Sequence, residues 1–127
     1  MKKFINLIVV VISVLTVVSG LTQVVMPGFV LIVIGAEVTD ISKHLFGIVG
    51  MFMALFGSLM LHTVYQTHTS RTAVFWCAMQ KLGAFVAVSL GVYNELFSWM
   101  ALGVAIFDLI SGILFLYYIK TLKENAN

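Results

Sequence analysis

Four apolar runs, each close to the ~20 residues a helix needs to cross a bilayer, set the limits on what this chain can fold into. They are Phe4–Val25, about Leu45–Tyr65, Thr72–Val92 and Phe97–Ile119. Breaks fall at Pro27-Gly28, at Gln66–Arg71 and at Tyr93-Asn94-Glu95. The last two connections are short, so the second, third and fourth spans are antiparallel neighbours. Composition agrees: 61% of the 127 residues are hydrophobic and 9% are charged. A soluble domain carries ~25% charged residues, so lipid must be the solvent for most of this surface. The sequence predicts a single all-α domain over residues 1–127, an integral membrane four-helix bundle.

The start of the chain, Met1-Lys2-Lys3 before an apolar run, has the look of a signal peptide, with Val18-Ser19-Gly20 as a small-residue cleavage site. The run continues to Met26, beyond a signal core of ~7–15 residues, and it reads as a retained span. The stretch Phe29–Ile34 is apolar and β-branched but too short to cross. As a continuation of the first helix, Phe4–Ala36 would measure ~50 Å against a hydrocarbon core of ~30 Å. A kink at Pro27 is therefore expected, followed by a short interfacial segment that lies as a lid on the helix ends or re-enters to line a ligand cavity.

Charge sets the orientation. With the N-terminus inside, the inner side holds Lys2, Lys3, Arg71, Lys120 and Lys123 against Glu124, and the outer side holds Lys43 with Glu37, Asp40 and Glu95. Both ends are expected in the cytoplasm. Tyr65, Trp76, Tyr117 and Tyr118 then fall at the inner interface and Tyr93 and Trp99 at the outer one, as aromatic belts do.

Two ions interrupt the apolar runs: Lys81 in the third and Asp108 in the fourth. An ion at the bilayer centre costs at least ~2.5–3.5 kcal/mol, so such residues are rare and are paired or functional. Helical rise puts Lys81 ~12 Å and Asp108 ~14 Å from the inner boundary, on adjacent antiparallel helices. The matched depth predicts a Lys81–Asp108 pair, acting as a clasp that fixes register or as a ligand- or proton-responsive site. Gln80 adjoins the pair and can donate to Asp108 or to a ligand. Ser111 lies one turn from Asp108 on the same face and is expected to belong to the same ligand-binding or proton-responsive site. Thr16, Ser19 and Gln23 form a polar stripe on the first helix, although hydroxyls in membrane helices commonly bond their own backbone.

Small residues recur at spacings of four: Gly50, Ala54 and Ser58 on the second span, Gly83, Ala87 and Gly91 on the third, Ala101 and Ala105 on the fourth, with Gly112 further along the same side. Such stripes let helices approach closely, within one chain or between chains. His44 and His62 sit ~27 Å apart on one helix and cannot share a metal or haem, and His68 lies in a loop. The single cysteine, Cys77, rules out an intrachain disulfide and a cysteine metal cluster, and reads as a buried inert thiol. No paired carboxylates, Ser-His-Asp set or glycine-rich phosphate loop is present. No metal or cofactor is expected. A net charge of +2 excludes a nucleic-acid binder.

A first span ending at Pro27-Gly28, a Gly-rich second span (HLFGIVGMFMALFG) and a last span of the type ALGVAIFDLISG resemble the small four-helix bacterial membrane proteins of the DoxX-like kind. That resemblance is architectural. It implies the four-span fold and a multi-pass place in a bacterial inner membrane. The expected function is non-enzymatic. The protein would bind a small amphipathic ligand, or serve as an accessory subunit of a larger membrane complex, through the Lys81–Asp108 centre. The alternatives are a small dimeric proton-coupled transporter in which Asp108 cycles its proton, and a membrane enzyme acting on a quinone or lipid. The expected partners are the bilayer and a second membrane chain, as a homodimer or a hetero-complex.

Overall fold

The computed structural model describes the backbone of residues 2–125 and the side chains of residues 3–122. Lys2, Lys123 and Glu124, used in the charge argument, have their side chains outside the described residues. The described chain is all-helical: α1 (Lys2–Val25), α2 (Pro27–Val33), α3 (Asp40–Val64), α4 (Arg71–Tyr93) and α5 (Ala101–Asn125). All but α2 are long and apolar enough to cross a membrane. Large apolar side chains stand exposed along all four, from Phe4 and Leu15 to Leu55, Val86 and Ile113. A surface this continuous in apolar groups has lipid as its solvent. The chain is a multi-pass membrane protein.

Polar caps, rather than the edges of apolarity, set the helix boundaries. Thr39 and Ser42 form a reciprocal capping box, and α3 therefore starts at Asp40, upstream of the expected Leu45. Ser70 caps α4 through Ala73 N, and its own N–H donates to Thr63 Oγ1, which closes the α3–α4 turn. The expected start of the last helix at Phe97 is not observed. Leu96 N and Phe97 N both donate to Gly91 O, Glu95 takes a left-handed φ of 61°, and the chain folds back before α5 begins at Ala101. The Phe97 ring lies on Gly91, where a Cβ would stand 2.5 Å from it.

The apolar stretch after Pro27 is a short helix, α2. Its buried face, Leu31 with Ile34 just beyond, packs with Ala101 among Phe46, Val88, Val92 and Phe97. Gly35, at φ 72°, turns the chain beside Ser98, and Ser98 N donates to Ile34 O, so α2 is tied to the α4–α5 loop. This segment caps the helix ends and also lines the cavity described below.

The long helices associate as two close pairs, α1 with α3 and α4 with α5, and the pairs meet each other far less. Glycine makes the first pair close. A Cβ on Gly20 would lie 2.5 Å from Gly50 O, and one on Gly57 would lie 3.0 Å from Ser13 O. In the second pair Gly112 admits Leu82. The pairs join through an apolar cluster at the end that carries the chain termini, formed by Val9, Met60, Val74, Cys77 and Phe115. Tyr118 belongs to that cluster at 3% exposure, beside the α3–α4 turn, whereas Tyr65, Trp76, Tyr93, Trp99 and Tyr117 are exposed. Toward the α2 end the pairs diverge, and space opens between them.

Candidate functional site

The polar centre lies between the two apolar clusters, one turn beyond Cys77. Lys81 on α4 is 3% exposed and Asp108 on α5 is 8% exposed. Lys81 Nζ donates to Asp108 Oδ1 at 3.2 Å and to Thr16 Oγ1 at 2.6 Å, and sits 5.1 Å from the centroid of the Phe107 ring. Its three protons are thus met by a carboxylate, a hydroxyl and an aromatic face. An ion pair out of water holds only when its remaining hydrogen-bonding capacity is also met. Thr16 does this for the lysine from the other helix pair, so the centre also bolts α1 to α4 and α5. Thr16 Oγ1 donates in turn to Ile12 O.

Other polar residues take different places. Gln23 is buried, and its Nε2 donates to Phe46 O at 3.1 Å. Ser19 is exposed and stands at the edge of a cavity. Gln80 lines an inner chamber without bonding Asp108 among the described residues. Ser111 is sealed in the interior and donates to Phe107 O, away from any cavity, so the part expected of it beside Asp108 is not seen. Ser13, which the stripe on α1 left out, is buried and bonded to Val9 O. His44 and His62 are exposed on α3. Cys77 is a buried thiol donating to Phe56 O at 3.7 Å. Among the described residues, no group of three His, Cys, Asp or Glu could hold a metal ion.

Two connected spaces meet at the pair. An inner chamber of about 160 Å³ lies under α2, walled by Val30, Ile34, Phe46, Val88 and Val104. An outer lobe of about 400 Å³ opens between α1 and α5, past Val18, Thr22, Gly103 and Phe107. Lys81, Asp108, Gln23, Val30, Met53 and Val104 border both. Gly103 has open space where a Cβ would be, which widens the gap at its rim. On the far side of the pair, toward the termini, the space among Ser13, Phe56, Met60, Cys77 and Phe115 is about 10 Å³, around one water at most. The pair is the closed floor of a cavity whose mouth faces lipid. A larger groove of about 830 Å³ runs along the outside of α1 and α3, but it is shallow and holds no buried polar group. Lys81 and Asp108 are the buried charged residues among those described, and both border the space between the helix pairs.

No family model, curated protein or solved structure matches this chain.

Proposed function

We propose that this chain is a non-enzymatic multi-pass protein of the cell membrane that takes a small amphipathic ligand from the bilayer into the cavity between its helix pairs. One observation carries this reading: a buried ion pair forms the floor of an apolar-walled space that opens sideways between α1 and α5. Pockets that bind small molecules have this composition, mostly apolar walls around a few converging polar groups. A sideways mouth admits a molecule already dissolved in lipid. The near-absence of space beyond the floor argues for holding a ligand rather than passing it through. The charge pattern supports insertion with both termini in the cytoplasm. The DoxX-like element order supports a bacterial inner membrane as the setting.

A second reading, an accessory subunit or a homodimer, has its own support. On α4, Gly83 and Ala87 face outward, and a Cβ on Gly83 meets nothing within 4 Å. A neighbouring membrane helix can approach closely there.

Native mass spectrometry from mild detergent tests the binding reading. The wild-type protein is expected to retain a small lipophilic molecule. Gly103→Phe, which fills the mouth without meeting protein atoms at Cβ, is expected to lose it. Equal retention by both, or none by either after extraction into lipid nanodiscs, would overturn the cavity as the site.

A further inference from the structure

We infer that the ligand of this cavity is a neutral amphiphile with a hydrogen-donating head, an alcohol in chemical class, and this rests on the binding reading above. The argument is a count of what the buried polar groups have left to offer. Lys81 has nothing to spare, because Asp108 Oδ1, Thr16 Oγ1 and the Phe107 ring occupy its ammonium. Asp108 is not used up. Its second oxygen, Oδ2, bonds no protein donor among the described residues and is not sealed by protein. Gln23 leaves an acceptor as well. Its Nε2 gives one of its two hydrogens to Phe46 O, which fixes the orientation of the amide, and Oε1 bonds no protein donor among the described residues and is not sealed by protein. Both residues are more than nine-tenths buried and border both parts of the cavity. Gln80 can donate or accept, so it fits either kind of head and does not decide the matter.

The floor therefore presents two free acceptors and no free cation. A hydroxyl head fits it, donating its one hydrogen to Asp108 Oδ2 or to Gln23 Oε1, both of which border the cavity. Charge excludes the other common heads. Lys81 and Asp108 together are net neutral, so a carboxylate ligand would bring a second anion to Asp108 while Lys81, the only buried cation among the described residues, is already engaged. An amine cation would compete with Lys81 for Asp108 and leave the lysine stranded in an apolar surround. An ether or ester head can accept from an amide N–H of Gln80 or Gln23 but has no hydrogen to give, so it leaves Asp108 Oδ2 unmet. The apolar tail runs out between Val18 and Val104, past Gly103, into lipid.

The test is a titration by native mass spectrometry with dodecanol, dodecyl methyl ether, dodecanoate and dodecylamine on the full chain in detergent. Dodecanol is expected to bind at least about tenfold more tightly than the other three, the range of one hydrogen bond to a charged group. Gln23→Leu should narrow that preference, and Lys81→Met with Asp108→Leu should abolish it while apolar binding of dodecanol and its ether becomes equal. Gly103→Phe should weaken all four together. An ether, carboxylate or amine that binds the wild type as well as dodecanol would overturn the head-group assignment and leave the cavity standing as a site. Failure of all four to bind the wild type, or binding that Gly103→Phe does not weaken, would overturn the binding reading itself.

Discussion

At the scale of the residue, Lys81 is held by more than its counter-ion. Breaking a buried ion pair costs ~3–5 kcal/mol because one charge is left unmet, while replacing both partners by apolar groups of similar volume is near neutral. Lys81→Met and Asp108→Leu are each expected to destabilise strongly in detergent, and the double variant to recover most of the loss. Losses that simply add, with no recovery, would mean the 3.2 Å contact carries no energy. Thr16→Val removes the lysine's shortest hydrogen bond at nearly constant volume and should cost ~1.5–3 kcal/mol, but nothing in the double variant, where the ammonium is gone. The Lys81–Asp108 meeting was legible from depth alone, because helical rise fixes how far each residue lies along neighbouring antiparallel helices. The parts played by Thr16 and Phe107 were not. They depend on the rotation of α1 and α5 about their axes, which long runs of evenly apolar residues do not encode. For Ser111 the same gap let a correct spacing suggest a cavity position, whereas the side chain turns to its own backbone.

At the scale of the element, the recurring small residues divide by what they face. Gly50 and Gly57 lie seven residues apart, two turns on one face, and both press on α1. The spacing of four still meets α1 at Ala54, whose N would lie 2.7 Å from a Cβ on Gly20, but has left that face by Ser58, which is exposed. Gly83 faces outward with nothing near it. Two leucine substitutions with the same chemistry should therefore act on different properties. Gly57→Leu would force its Cβ to within 3.0 Å of Ser13 O and should lower the melting temperature by prising α1 from α3. Gly83→Leu should leave the melting temperature unchanged or raised, since glycine is the poorer helix former by ~1 kcal/mol. If copies of this chain pair through α4, light scattering after gel filtration should show Gly83→Leu shifting from dimer to monomer. A wild type that is monomeric throughout would remove the pairing and leave the stability difference intact. Element boundaries were the less legible part for a related reason. Apolarity marks where lipid can be tolerated, and the ends of α3 and α5 are set by Thr39, Ser42 and the backfold of Phe97 onto Gly91.

At the scale of the whole molecule, the helix pairing sorts the loops into two sets. Ile5, Val64, Thr69 and Leu122 border one cleft, so the N-terminus, the α3–α4 turn and the end of α5 share a side. That side carries Lys3, Arg71 and Lys120. Ser98 N bonded to Ile34 O places the α2–α3 and α4–α5 connections together on the other, which carries Glu37, Asp40, Lys43 and Glu95. Basic residues in short loops are retained in the cytoplasm during insertion, and acids count for little. The side of the termini is therefore expected inside, with the α2 cap outside. Cysteines placed singly at Val38, Thr69 and Asn94, in a background where the buried Cys77 is alanine, read this directly with a membrane-impermeant thiol reagent on intact cells. Val38 and Asn94 are exposed positions and should label, and Thr69 should label only after the membrane is opened. Labelling of Thr69 from outside, with protection of the other two, would invert the molecule. It would also put the lateral mouth between α1 and α5 in the cytoplasmic rather than the outer leaflet, and so change which lipids the cavity samples while leaving its chemistry untouched.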